Sequence, residues 1–188
     1  MEFMETVRAR RSIRKFDTRA VEPEKLDRLL EAARLCQSAK NRQPWRFMLL
    51  TGAEKDKIAQ IMLRLFEQNN YDIPGYMNSS KYTAQTMLQA PALILVFREP
   101  DDGWFPMDML SIGAAVEHIC LAAVNEGLGS LWIGDTAYTE AEIRAHLGCT
   151  ELELICAVSV GYAAEDPAPR PRKAMEEILL EKGAENEN

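Results

Sequence analysis

The sequence predicts an α+β domain of three layers, helix-sheet-helix, and three features of its patterning carry that reading. Two continuous apolar runs, Ala92-Leu93-Ile94-Leu95-Val96-Phe97 and Leu154-Ile155-Cys156-Ala157-Val158-Ser159-Val160, have strand length and no regular polar alternation, which marks strands buried on both faces. Segments with apolar residues at helical intervals stand before, between and after these runs. The stretch Met109 to Asn125 is apolar nearly all round, as expected of a helix enclosed by a core. With 188 residues, 47% of them hydrophobic, the chain is long enough for one well-buried core and short for two, so 1–188 reads as a single domain.

Taken in order, residues 2–9 read as a short helix with Phe3 and Val7 on one side. Pro23 suits the first position of a second helix, where its missing N–H is harmless, and Leu26, Leu29, Leu30 and Ala33 follow at helical spacing towards Gln37. Ser38 to Pro44 is a polar connector, and Arg46 to Thr51 is a strand. Ile58, Ile61, Met62, Leu65 and Phe66 predict a helix over 54–69. Asn69 to Ser80, punctuated by Pro74 and Gly75, reads as the mobile segment and a candidate lid. A helix at about 81–89 leads through Pro91 into the buried strand at 92–97.

Gly103-Trp104-Phe105-Pro106 is a second candidate lid element ahead of the central helix, for which Asp108 is placed as N-cap. Trp104 there either packs or stacks on a substrate. The helix closes at Glu126-Gly127, residues 128–134 are glycine-spaced and extended, 139–147 are helical, and Gly161 closes the last core strand. Pro167, Pro169 and Pro171 exclude regular structure from most of the tail, with one further short helix over 174–180. Residues from about 165 to 188 are expected to be an extended tail packed on a partner subunit.

The net charge of −7 argues against nucleic-acid binding, which needs a dominating positive field. No run approaches the roughly 18 to 20 uninterrupted apolar residues of a membrane span, and the charged N-terminus lacks a signal peptide's apolar stretch. No membrane partner and a cytoplasmic location are therefore expected. Cys36, Cys120, Cys149 and Cys156 are widely spaced among apolar neighbours with only His118 and His146 to assist, so reduced core thiols are expected and no metal site.

Against this acidic background two basic clusters stand out, Arg8 to Arg19 and Arg170, Arg172 and Lys173. There is no nucleophile elbow, no Walker loop and no dinucleotide fingerprint. Quiet side chains beside two arginine clusters suggest an anionic cofactor that does the chemistry itself. Arg10-Arg11-Ser12-Ile13-Arg14 suits a phosphate, because guanidinium groups fork onto phosphate oxygens and a serine hydroxyl adds a hydrogen bond. Taken alone, the segment fits a solvated basic turn better. Likewise Ser38-Ala39-Lys40-Asn41-Arg42-Gln43-Pro44-Trp45 can hydrogen-bond a polar heterocycle, but by itself is an ordinary loop with a core tryptophan.

Together these segments resemble the bacterial nitroreductase family. The Arg-Arg-Ser-x-Arg opening, the Ser-x-x-Asn-x-Gln-Pro-Trp loop, Gly127-Leu128-Gly129-Ser130-Leu131-Trp132-Ile133-Gly134, and Val160-Gly161-Tyr162 before Pro171-Arg172-Lys173 occur in the family's order over nearly the whole chain. The resemblance implies a nitroreductase-like fold in a homodimer with exchanged terminal segments and FMN bound non-covalently at the interface. It further implies that Arg10, Arg11, Ser12 and Arg14 meet the phosphate, ribityl chain and pyrimidine edge, with Arg172 and Lys173 closing on the phosphate. Ser38, Ala39, Asn41 and Gln43 would reach the flavin held mainly by the other subunit, and backbone at Ile133 and Gly134 would lie near N5.

The activity implied is ping-pong hydride transfer from NAD(P)H through flavin N5 to an electrophilic acceptor such as a nitroaromatic or quinone, with no catalytic side chain. A dedicated flavin reaction, such as reductive dehalogenation, flavin fragmentation or a biosynthetic dehydrogenation, and a non-catalytic redox sensor are the alternatives. Thr83-Ala84-Gln85-Thr86 departs from relatives that place Asn and Lys there, which leaves flavin contacts from this helix open.

Overall fold

The computed structural model describes residues 2–68 and 80–180. Its elements are α1 (Phe3–Ala9), α2 (Pro23–Arg34), β1 (Trp45–Thr51), α3 (Gly52–Gln68), α4 (Ser80–Gln89), β2 (Ala92–Arg98), α5 (Phe105–Asn125), β3 (Gly129–Ile133), α6 (Glu140–Leu147), β4 (Glu153–Gly161) and α7 (Met175–Ile178). The four strands form one sheet in the order β1-β2-β4-β3, antiparallel throughout. β2 and β4 occupy its centre, which explains why their sequences lack polar alternation: both faces are covered although no pair is parallel.

Alternation along each strand sorts the core into two halves. Ala92, Ile94, Val96, Cys156, Val158 and Val160 face α2 and α5, whereas Leu93, Leu95, Phe97, Leu154, Ala157, Leu131 and Ile133 face α3, α4 and α6. The expected helix-sheet-helix layering follows directly. The four cysteines are free and buried; loss of hydration raises the thiol of Cys120 to about 11 and that of Cys156 to about 12.

Two expectations change. Asp108 does not cap the central helix, because α5 starts at Phe105 with Pro106 in its first turn, and Asp108 is turned into the protein with no exposed surface. Nor is α5 enclosed on all sides. Ile112, Ala115, Val116, Ile119 and Ala123 pack inwards, while Leu110 is 69% exposed and Met107 and Phe105 lie open beside it. By length and hydropathy Asp102–Asn125 would pass for a membrane-spanning segment, yet this helix sits between α2 and the sheet. Just ahead of the tail, Phe16 bridges Ala163, and the Ala164 N–H donates to the Lys15 carbonyl at 2.9 Å. Residues 168–180 are exposed. The Asn69 to Ser80 lid candidate lies outside the described residues except for Ser80, which begins α4.

Candidate functional site

The arginine-rich segment is an extended strip, fastened by its two apolar residues. Ile13 and Phe16 are buried, and the Ile13 N–H donates to the Ser130 carbonyl of β3 at 2.9 Å, extending the sheet edge by an isolated parallel bridge between Ser12 and Ser130. On the strip's other flank runs the chain after β4. There the Glu165 carboxylate accepts the N–H groups of Arg14 and Lys15 at 2.5 and 3.2 Å. Backbone is thus gripped on both sides, which leaves the charged side chains to face outward.

They face a cleft of about 550 Å³ lined by Val7, Ser12, Pro167, Ala168, Pro169 and the arginines at 8, 10, 11, 14, 170 and 172. Among the described residues no carboxylate lines it. The Arg11 guanidinium donates to the carbonyls of Pro167 (3.2 Å), Arg8 (2.5 Å) and Arg10 (2.9 Å), and its Nη2 has no hydrogen-bond partner among the described residues. Arg10 Nε meets Glu117 of α5 at 3.3 Å, and Arg14 Nη1 donates to the Ser12 carbonyl at 3.1 Å. Concentrating six cations on one concavity of a chain with net charge −7 is electrostatically costly without an anion to face them. The donor set fits a phosphate group.

Of the sequence-predicted residues, Arg10, Arg11, Ser12, Arg14 and Arg172 converge on this cleft, whereas Lys173 is exposed and does not line it. Ile133 is buried at the end of β3, and Gly134 after it is exposed, with open space where a side chain would project. Ser38, Ala39, Asn41 and Gln43 lie apart from the cleft, at the N-terminal end of α5, where the Ala39 N–H donates to Ser111 Oγ at 3.2 Å. Ser38 Oγ accepts the Gln43 N–H at 2.9 Å, so its hydroxyl shapes the loop itself. Lys40, Asn41 and Gln43 hold left-handed backbone with φ of 52°, 55° and 50°.

Sequence reasoning passed over Arg8 and Arg170 as site residues, although both belong to the basic clusters it singled out. It had no means of finding Glu165, which acts through backbone N–H groups 150 residues away. α4 braces the site with hydroxyls. Thr86 Oγ1 reaches the Arg14 carbonyl at 3.5 Å, and Ser80 and Thr83 each lie 3.1 Å from an Asp135 oxygen, just after Gly134. Trp104 lies under the Arg42 guanidinium, 4.6 Å from its ring centre, which gives it a packing partner within the chain.

The sequence profile of the nitroreductase family matches residues 7–162, a span that runs from the arginine strip to the end of β4. The chain belongs to the nitroreductase family. A protein of Archaeoglobus fulgidus that bears an NADH dehydrogenase/NAD(P)H nitroreductase name is 31% identical over 172 residues, covering 88% of this chain and 87% of its own. The iodotyrosine deiodinase of Thermotoga neapolitana is 27% identical over 178 residues, covering 91% and 92%. Among solved structures, a nitroreductase of Desulfovibrio desulfuricans in complex with FMN superposes with a TM-score of 0.80 at 26% identity, covering 97% of each chain.

Proposed function

We propose that this nitroreductase-family protein is an FMN-dependent NAD(P)H oxidoreductase working as a homodimer, each chain a single domain over 1–188. The observation that carries the reading is the convergence of six arginines from the two ends of an acidic chain on one cleft. Arg10, Arg11 and Arg172, joined by Ser12, hold the FMN phosphate and ribityl chain by charge-assisted hydrogen bonds, and Lys173 adds positive charge at the rim. Arg14 stands at the pyrimidine edge, where a cation stabilises negative charge on the reduced ring and raises its potential. When bound there, FMN would supply the redox chemistry, hydride transfer at N5 between NAD(P)H and an electrophilic acceptor of the nitroaromatic or quinone class.

The chain's own part is positional. Exposed Gly134, with no side chain over it, lets the ring edge approach the backbone at Ile133 and Gly134. The loop carrying Ser38, Ala39, Asn41 and Gln43 serves the flavin of the partner subunit, because within one chain it lies away from the cleft. Dimerisation is supported by apolar side chains that one chain leaves open: Phe3, Met4 and Val7 on α1, Leu110 on α5, and Met175 and Ile178 on α7. Four unpaired buried thiols and the need for reduced nicotinamide favour a cytoplasmic site of action.

The test is steady-state oxidation of NADH and NADPH by the FMN-loaded protein with a quinone and a nitroaromatic. An iodinated phenol belongs in the same series, given the deiodinase relative. Turnover with a quinone or nitroaromatic is the expected result. Bound FMN that neither nucleotide reduces would reject the reading.

A further inference from the structure

The polar loop before β1 is built in alternation. Asn41 and Gln43 point their amides outward and at each other, Gln43 Nε2 to Asn41 Oδ1 at 3.2 Å, while Arg42 between them turns inward. Its guanidinium donates from Nε to Asp108 Oδ1 at 3.3 Å and from Nη2 to Asp101 Oδ2 at 2.9 Å, and stacks on Trp104. Asp108 has no exposed surface, and its second oxygen, Oδ2, is taken by Nη1 of Arg98 at 3.3 Å. Arg98 is fully buried in turn, with Nε on Glu153 at 2.7 Å and Nη1 on the Asp101 carbonyl at 3.1 Å. The chain of charges therefore runs from the sheet, through the first turn of α5, to the middle of the loop.

Such an arrangement is a poor source of stability, because every buried charge gives up hydration that its partner only partly restores. It is a good device for holding geometry. The loop needs holding, since Lys40, Asn41 and Gln43 all sit in left-handed backbone that costs free energy for residues other than glycine. Ser38 Oγ and Ser111 Oγ each fix one backbone N–H in the loop, and Arg42 is the side chain that ties its centre to the core. We infer that Arg42, seated on Asp108 and Asp101, is a positioning residue: it keeps the loop in its strained form so that Asn41 and Gln43 are preorganised to hydrogen-bond the flavin ring. This rests on the FMN reading above and extends it to residues that touch no flavin.

The test compares wild type with Arg42→Gln, which leaves Asp108 paired to Arg98, and with Asp101→Asn, which removes only the half-open arm of the network. FMN affinity is measured by fluorescence quenching on protein freed of flavin, with inorganic phosphate as competitor. Thermal melting shows that each variant is folded. Arg42→Gln should weaken FMN about tenfold, a loss of about 1.4 kcal/mol, with the inhibition constant of phosphate unchanged and the bound-flavin absorption bands moved towards those of free FMN. Asp101→Asn should do the same to a smaller degree, and Arg42→Lys should restore part of the affinity. An Arg42→Gln protein that binds FMN as wild type does, or that loses FMN and phosphate affinity by the same factor, would overturn the inference and leave the FMN reading standing. A wild-type protein that cannot bind FMN would overturn both.

Discussion

Gly129 joins the packing of β3 to the placement of the arginine strip, and Gly129→Ala should damage both. A Cβ there would stand 2.6 Å from Ile13 Cγ1, 3.0 Å from its Cβ and 3.2 Å from its Cγ2. Rotation about χ1 cannot relieve the Cβ contact, so the strip itself must move away from β3, against the hydrogen bond from Ile13 N–H to the Ser130 carbonyl. Overpacking of this kind costs about 1–3 kcal/mol, and at about 2–4 °C per kcal/mol for a chain of this size the melting temperature should fall by roughly 2 to 12 °C. Because the strip carries Arg10, Arg11 and Arg14, FMN affinity should fall as well. Denaturant unfolding and FMN titration measure the two effects, with Gly103→Ala as control, where the nearest atom is an ordinary 3.6 Å away. Ile13→Ala combined with Gly129→Ala should be less destabilised than the two single changes summed, since the Cγ1 and Cγ2 contacts are gone and only the Cβ contact at 3.0 Å remains. Strict additivity, or wild-type stability and FMN affinity in Gly129→Ala, would refute the reasoning.

Other perturbations reach different parts of the account. Arg14→Ala should lower the midpoint potential of bound FMN, measured by dye-coupled titration; an unchanged potential in a variant that still binds flavin would remove Arg14 from the ring edge. The Glu22 carboxyl is held down to about 2, chiefly by the hydrogen bond from Tyr162, with further contributions from backbone and Arg19. A depressed carboxyl stabilises the fold above its ordinary value of 4.5, and that contribution disappears as pH falls through about 2. Tyr162→Phe should therefore flatten the acid dependence of melting over that window, and an unaltered slope would assign it elsewhere. Leu110→Glu, on the open face of α5, should shift sedimentation from dimer to monomer with the circular dichroism spectrum kept.

Local chemistry made most elements readable. Pro23 at the head of α2 and the uninterrupted apolar runs of β2 and β4 express constraints within a few residues of themselves. What local pattern could not show is pairing over distance. Asp108 had the look of a cap because aspartate usually caps, but its partners are Arg98 and Arg42, brought together only by folding. Similarly, Leu110 and the inward residues of α5 are equally apolar, so composition alone cannot separate a core face from an exposed one. At the site, arginine and serine side chains could be named from motif order, but the clamps of Glu165 on the strip and Arg42 in the loop could not. The left-handed run through Lys40, Asn41 and Gln43 was equally hidden, since only Asn41 carries a residue type that favours it.

The central claim is that the arginine cleft holds FMN, and the visible absorption spectrum of the purified, desalted protein tests it most directly. Protein incubated with FMN should keep stoichiometric flavin absorbance through desalting, and Arg11→Ala should lose it. A colourless protein that cannot be reconstituted with FMN would contradict the account.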